Sequence, residues 1–166
     1  MPDAVDQITA AWRTHRPDVD TSPMEIVGRI TRLHRLLDRA LTDFFHTHNL
    51  ERWEFDVLAT LRRSTPESGL TAGELNKAAM VTSGAITNRI DRLTAKGLVE
   101  RIPDTKDRRA IRVHLTAKGR GLVDDLLPLH MANEQRLLAA LTPTDRESLI
   151  PLLRTLSESL GDTSLT

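Results

Sequence analysis

Residues 82–93, TSGAITNRIDRL, place small hydrogen-bonding side chains where a helix would meet its surroundings. Ile86, Ile90 and Leu93 recur at i, i+4 and i+7, one apolar stripe of an α-helix. The opposite face carries Ser83, Gly84, Thr87, Asn88 and Asp91. A plain solvent face favours Glu, Lys and Gln, which are better helix formers. Short side chains suit another task. The major groove of B-DNA, roughly 12 Å wide, admits a helix that can come close to the base edges. Gly84 and Ala85 permit that approach near the N-terminal end. Ser83 and Thr87 can donate to phosphates or bases, Asn88 can pair an adenine edge at two atoms, and Arg92 can reach a phosphate. For an isolated amphipathic helix, a packed element with a polar outside is the commoner reading.

The residues that follow reverse that balance. The stretch DTKDRR sets Lys106, Arg108 and Arg109 beside Asp104 and Asp107. A charged β-turn would look the same, but a basic tip next to a small-residue helix also describes a wing. Arg at such a tip can enter a narrow, electronegative minor groove. Asp107 can orient Arg109 through a salt bridge. The charge distribution points the same way. The formal net charge is zero, yet residues 71–120 hold eleven Lys and Arg against five Asp and Glu. A basic segment in a neutral chain favours a polyanionic partner at one end.

Other chemistries find no support. There are no cysteines, which excludes disulfides, thiolate catalysis and Cys-ligated zinc. Six histidines occur, but His46 and His48 are two apart and diverge on a helix. No HExxH, glycine-rich phosphate loop or nucleophile motif is present, so neither an enzyme, a cofactor nor a metal is expected. The first residues, MPDAVDQITAAW, lack a signal-peptide layout, and no apolar run approaches a membrane span. The expectation is a soluble cytoplasmic protein without a membrane partner. A pure protein-interaction module would suit the terminal helices, but would leave the small-residue helix and basic tip unexplained. Salt-dependent binding to a short duplex separates these classes.

The elements that would hold these residues are mainly helical. Leu and Ile carry the packing, because only two Trp, three Phe and no Tyr occur. Helices are expected over 3–14, 24–47 and 51–63, the second with Ile26, Val27, Ile30, Leu33, Leu37, Leu41 and Phe44 on a broad apolar stripe. Phe55, Leu58 and Leu61 should point inward from the third. Thr71 and Glu74 form a capping box before a short helix. Met80-Val81 is a turn, the quoted helix follows, and Gly97 stops it. LVERI (98–102) and AIRVHL (110–115) alternate at period two, as strands do. A helix over 117–140, with a kink at Pro128, should turn Leu122, Val123, Leu126, Leu127, Leu137 and Leu138 inward. Pro143 at N1 starts the last helix, which carries Leu149, Leu152, Leu153, Leu156 and Leu160.

Helix, tight turn, helix and hairpin make a winged helix-turn-helix. The stretch GELNKAAMVTSGAITNRIDRLTAKGLVERIPDTKDRRAIRVHLTAKG resembles the MarR family of bacterial regulators. The shared features are the ELxxxxxVTSG turn, NRIDRL, KGLVER, the D-x-R wing and LTxxG. The resemblance implies a mainly α fold with a small β-wing. It assigns residues 64–116 to the DNA-binding region, 24–63 and 117–160 to a helical dimerisation region, and 1–16 to an added N-terminal helix, all in one structural domain. It implies a homodimer, most readily a repressor, on a near-palindromic double-stranded DNA site, with Arg109 entering the minor groove.

A narrower resemblance concerns the N-terminal part. The helix with Trp12, then PDVDTSPMEIVGRITRL and WEFDVLATLRRS, is similar to the urate-responsive, pectinase-regulator type of the family. It implies a ligand site of Trp12, Asp56, Arg89 and Arg101. The chemistry is consistent with that role. Two Arg can hold an anionic planar heterocycle through forked donors, Trp12 can cover its face, and Asp56 can pair Arg89 when no ligand is bound. The bland readings are a Trp that staples a terminal helix, a structural Asp56–Arg89 pair, and a phosphate contact for Arg101. The implied ligand is a small anionic aromatic compound, a purine such as urate or xanthine. A phenolic acid, another aromatic compound or no small molecule is the alternative.

Overall fold

The computed structural model describes residues 1–64, 69–78, 86–104 and 110–163. Two compact units are present, Met1–Asp43 and Phe44–Thr166. Seven helices and three strands are described: α1 Ala4–His15, α2 Pro23–Thr47, α3 Arg52–Arg63, β1 Leu70–Thr71, α4 Ala72–Ala78, α5 Ile86–Ala95, β2 Val99–Pro103, β3 Ile111–Leu115, α6 Ala117–Leu137 and α7 Pro143–Ser159.

In the first unit, α1 begins at a reciprocal cap. Asp3 accepts from the Val5 and Asp6 amides, and the Asp6 carboxylate accepts from the Asp3 amide. Arg29 of α2 reaches both carboxylates, at 2.9 Å to Asp3 and 2.5 Å to Asp6. Val5 and Thr9 are buried, and Val5 comes against Gly28 of α2, where any side chain would press on it. The α2 stripe is only partly covered. Ile26, Val27, Leu33 and Leu36 are more than half exposed.

The second unit holds the main core. Phe45, Leu50, Phe55, Val57, Leu58, Leu61, Leu75, Ile90, Leu93, Leu98, Val99, Val113, Val123 and Leu126 form one buried cluster. Thus α3 supplies the central face, and α4, α5, β3 and α6 contribute to the same core. The sheet is antiparallel in the order β1-β3-β2, with Leu70 opposite Val113 and Arg101 opposite Val113 on its other side. The hairpin was expected from the sequence; β1 was not. Two residues cannot show a period, and β1 exists because Leu70 and Thr71 find partners forty residues away on β3.

Two further expectations need correction. Helix α6, which continues through Pro128, ends at Leu137 rather than 140. Beyond that end Arg146 donates to the carbonyls of Leu138, the C-cap residue, and Leu141. Leu127 and Leu138 are exposed, because the buried face of α6 is Gly119, Val123, Leu126 and Asn133. The expected Met80-Val81 turn lies outside the described residues.

Candidate nucleic-acid interface and ligand residues

Helix α5 turns Ile90 and Leu93 into the core, with Ile86 packed against it, and leaves Thr87, Asn88, Asp91 and Arg92 exposed. The polar face is therefore where the periodicity placed it. Its C-terminal end is fixed by a Schellman motif. The Leu98 amide donates to the Leu93 carbonyl at 3.0 Å and the Gly97 amide to the Thr94 carbonyl at 2.9 Å. Gly97 has φ +67 with no neighbour near its missing Cβ, so backbone conformation alone demands glycine there.

The LTAKG segment after β3 grips the same end. Thr116 caps α6 by accepting from the Gly119 amide. Its hydroxyl also lies within hydrogen-bond distance of the Gly97 and Leu98 carbonyls, at 2.8 and 3.2 Å. Lys118 Nζ donates to the Lys96 carbonyl at 2.8 Å. Helix α4 starts at the expected capping box, with the Thr71 amide on Glu74 at 2.7 Å and the Glu74 amide on Thr71 Oγ1 at 3.2 Å. The Thr71 amide, followed by its hydroxyl, holds the Glu74 carboxyl below its usual pKa.

The base of the wing is tied by one side chain. Arg112 of β3, itself half-buried, is ion-paired to Asp104 at the end of β2. It also donates to the Gly69 carbonyl at 3.1 Å and lies 3.4 Å from Glu74. The Asp104 amide donates to the Ala110 carbonyl at 2.9 Å. Lys106, Asp107, Arg108 and Arg109, with the expected Asp107–Arg109 bridge, lie outside the described residues, as do Ser83 and Gly84.

The residues expected to bind ligand occupy distinct settings. Trp12 is an exposed residue of α1 in the first unit. Asp56 is half-buried on α3, where its backbone carbonyl accepts from Thr60 Oγ1. Arg101 of β2 pairs with Asp91 of α5 at 2.6 Å. Arg89 is half-buried, and its guanidinium lies 5.4 Å from the centroid of the Trp53 ring. Arg92 lies over the same ring at 4.9 Å. Sequence reasoning gave Trp53 no role. The spacing of Arg89 and Arg92, one helical turn apart, was the only available signal.

A second feature also went unread. Glu54, 0% exposed, takes Lys96 Nζ at 2.7 Å and the Glu51 amide at 3.0 Å on the same carboxylate oxygen. Beside it opens a pocket of about 180 Å³ lined by His46, Asn49, Leu50, Glu51, Glu54, Arg92 and Lys96. None of the four residues expected to bind ligand lines that pocket. Among the described residues no cluster of His, Asp and Glu could hold a metal, and no helix is long and apolar enough to cross a membrane.

A helix pair in which the second helix presents Asn88 and Arg92 to solvent, backed by a three-stranded wing, defines a winged helix-turn-helix transcriptional regulator. A MarR-family sequence profile matches residues 48–110. The HTH-type transcriptional regulator PecS of Dickeya dadantii is 35% identical over 149 residues, 90% of this chain and 90% of PecS. A variant of Escherichia coli MarR solved with operator DNA has a TM-score of 0.69 at 29% identity, over 83% of this chain and 99% of that one. Bordetella bronchiseptica BpsR, whose DNA binding is regulated by 6-hydroxynicotinic acid, has a TM-score of 0.71 at 26% identity, over 84% and 98% of the two chains. The chain belongs to the MarR family of DNA-binding transcriptional regulators.

Proposed function

We propose that this regulator is a homodimeric repressor of a near-palindromic operator, released by a small anionic aromatic ligand such as urate or xanthine. The observation that carries the DNA reading is the outward face of α5, with Thr87, Asn88 and Arg92 exposed over a buried Ile90–Leu93 stripe. From the sequence we add Ser83 and Gly84 to the DNA-binding residues, with Lys106, Asp107, Arg108 and Arg109 for the wing. Dimerisation is supported by the open apolar stripe of α2 and by Ile150, Leu152, Leu153 and Leu156 exposed on α7. Residues 24–63 and 117–160 then serve the dimer, and 64–116 the DNA.

The ligand residues are Trp12, Asp56, Arg89 and Arg101, taken from the resemblance to the urate-responsive type. Support comes from the length of the similarity to PecS and from the position of Arg89 beside Asn88 on α5. A ligand that draws on Arg89 acts on the helix that reads DNA. DNA and ligand then oppose each other by linkage, on a scale of about 1–3 kcal/mol. The similarity to BpsR favours a second ligand class, hydroxylated pyridine carboxylates.

The experiment titrates urate, xanthine and 6-hydroxynicotinate against the protein bound to a duplex that it has enriched from a random-sequence pool. Wild type should release the duplex with at least one purine, and Arg89→Ala should not respond. Asn88→Ala should lose about 1–3 kcal/mol on the enriched duplex, and Arg109→Ala should lower the salt dependence by about one charge. Equal release from Arg89→Ala would rule out the ligand residues. Unchanged binding by both DNA-face variants would rule out the interface.

A further inference from the structure

Arg89, Arg92 and Lys96 fall at i, i+3 and i+7 on α5 and the turn that ends it, so they share one side of the helix. All three meet two consecutive residues of α3. Trp53 carries both guanidinium groups on its ring, and Glu54 takes the ammonium at 2.7 Å. We infer that Trp53 and Glu54 are positioning residues for DNA binding, a cradle in the first turn of α3 that sets the rotation and height of the recognition helix. This rests on the DNA-binding role of α5.

The two residues hold in different ways. Glu54 is a wholly buried carboxylate, and its second oxygen has no partner among the described residues. Such a charge requires its counter-ion, so Lys96 is drawn to one point. The same oxygen accepts from the Glu51 amide, which locks the carboxylate to the start of α3. Trp53 holds by its face. A guanidinium over an indole ring is attracted by the π cloud and keeps its in-plane N–H donors free for other acceptors. Arg92, exposed and already over Trp53, can therefore meet a phosphate with less side-chain freedom left to lose. Asn88 is adjacent to Arg89, so the rotation fixed by the cradle also aims the base-reading amide.

The test compares wild type, Trp53→Phe, Trp53→Leu and Glu54→Gln on two duplexes, one enriched by the wild type from a random pool and one of random sequence. The readout is the ratio of the two affinities, taken well below each variant's melting temperature. Trp53→Leu should lose about tenfold in that ratio, with random-duplex affinity changing less. Trp53→Phe, which keeps a π face, should recover most of the loss. Glu54→Gln keeps an acceptor for the Glu51 amide but weakens the hold on Lys96, and should fall between. A purely structural role would lower melting temperatures and leave the ratio unchanged. If Trp53→Leu does not fold, Trp53→Phe and Glu54→Gln decide, and wild-type ratios in both overturn the inference. A wild type that enriches no duplex overturns the DNA reading, and the inference falls with it.

Discussion

Two glycines in the same helix should respond to alanine with opposite signs. Gly119 lies in the first turn of α6 and Gly121 two residues on. A Cβ on Gly119 would fall 2.0 Å from the Leu98 carbonyl oxygen and 2.9 Å from its carbon. An ordinary carbon–oxygen contact is about 3.3–3.6 Å, so something must move by over about 1 Å. Leu98 is poorly placed to retreat. Its carbonyl accepts from the Thr116 amide at 3.1 Å, and its own amide closes the end of α5. Overpacking costs about 1–3 kcal/mol, and each hydrogen bond broken in the adjustment adds about 1 kcal/mol. The helical preference of Ala returns about 0.5–1 kcal/mol. Gly119→Ala should therefore destabilise by about 3 kcal/mol, or roughly 6–12 °C in melting temperature for a chain of this size. Gly121 has nothing within 4 Å of its missing Cβ, so Gly121→Ala should gain about 0.5–1 kcal/mol. Thermal melts at one fixed protein concentration, supported by urea titrations, measure both. A Gly119→Ala melting temperature within about 2 °C of wild type, or both variants moving the same way, would refute the close-approach argument.

The Glu54–Lys96 pair should show a thermodynamic signature of its own. Lys96→Met strips a buried carboxylate and should cost about 2–3 kcal/mol, below the usual range for a buried pair because Lys96 is 41% exposed. The double variant Glu54→Gln/Lys96→Met should be more stable than Lys96→Met alone, and equal stabilities in urea would remove the pair as a stabilising element. His130 gives the acid dependence. Burial holds its pKa below the ordinary value, with Glu134 opposing that shift and Arg52 adding to it. The unfolded chain then binds the proton more readily. This contribution to stability is intact above about pH 6.5 and is lost as pH falls below it. The ring packs against Phe44, Phe45 and Phe55 at 5.0–5.7 Å, so His130→Phe should flatten the stability profile between about pH 7 and pH 5. An unchanged slope would place the acid sensitivity elsewhere.

What could be read from the sequence followed from local physics. The α5 stripe, the Thr71–Glu74 box and the glycine stop at Gly97 are decided within a few residues, and the structure shows each of them. The inward residues of α3 were equally plain, because Phe55, Leu58 and Leu61 are spaced for one face. Long-range choices were not legible. Strand β1 has no pattern of its own, and Leu127 and Leu138 have the same composition as their buried neighbours yet lie outside. Trp53 and Glu54 stand in the same WEFDVL stretch that drew attention to Asp56. Nothing local says that Trp53 meets two arginines more than thirty residues on, or that Glu54 is buried and paired with Lys96.

The root of the wing bears on how such a regulator can change its preferences. The five residues after Asp104 carry the basic tip, and the chain returns at Ala110. Those two ends are joined by a backbone hydrogen bond, and Arg112 binds the outgoing end to the residues that open β1 and α4. These ties use groups outside 105–109. Substitution within 105–109 leaves both partners of each of these ties in the sequence. Lineages and designers alike can exchange the tip as a cassette, whereas a change at Arg112 disturbs every tip that could be mounted there.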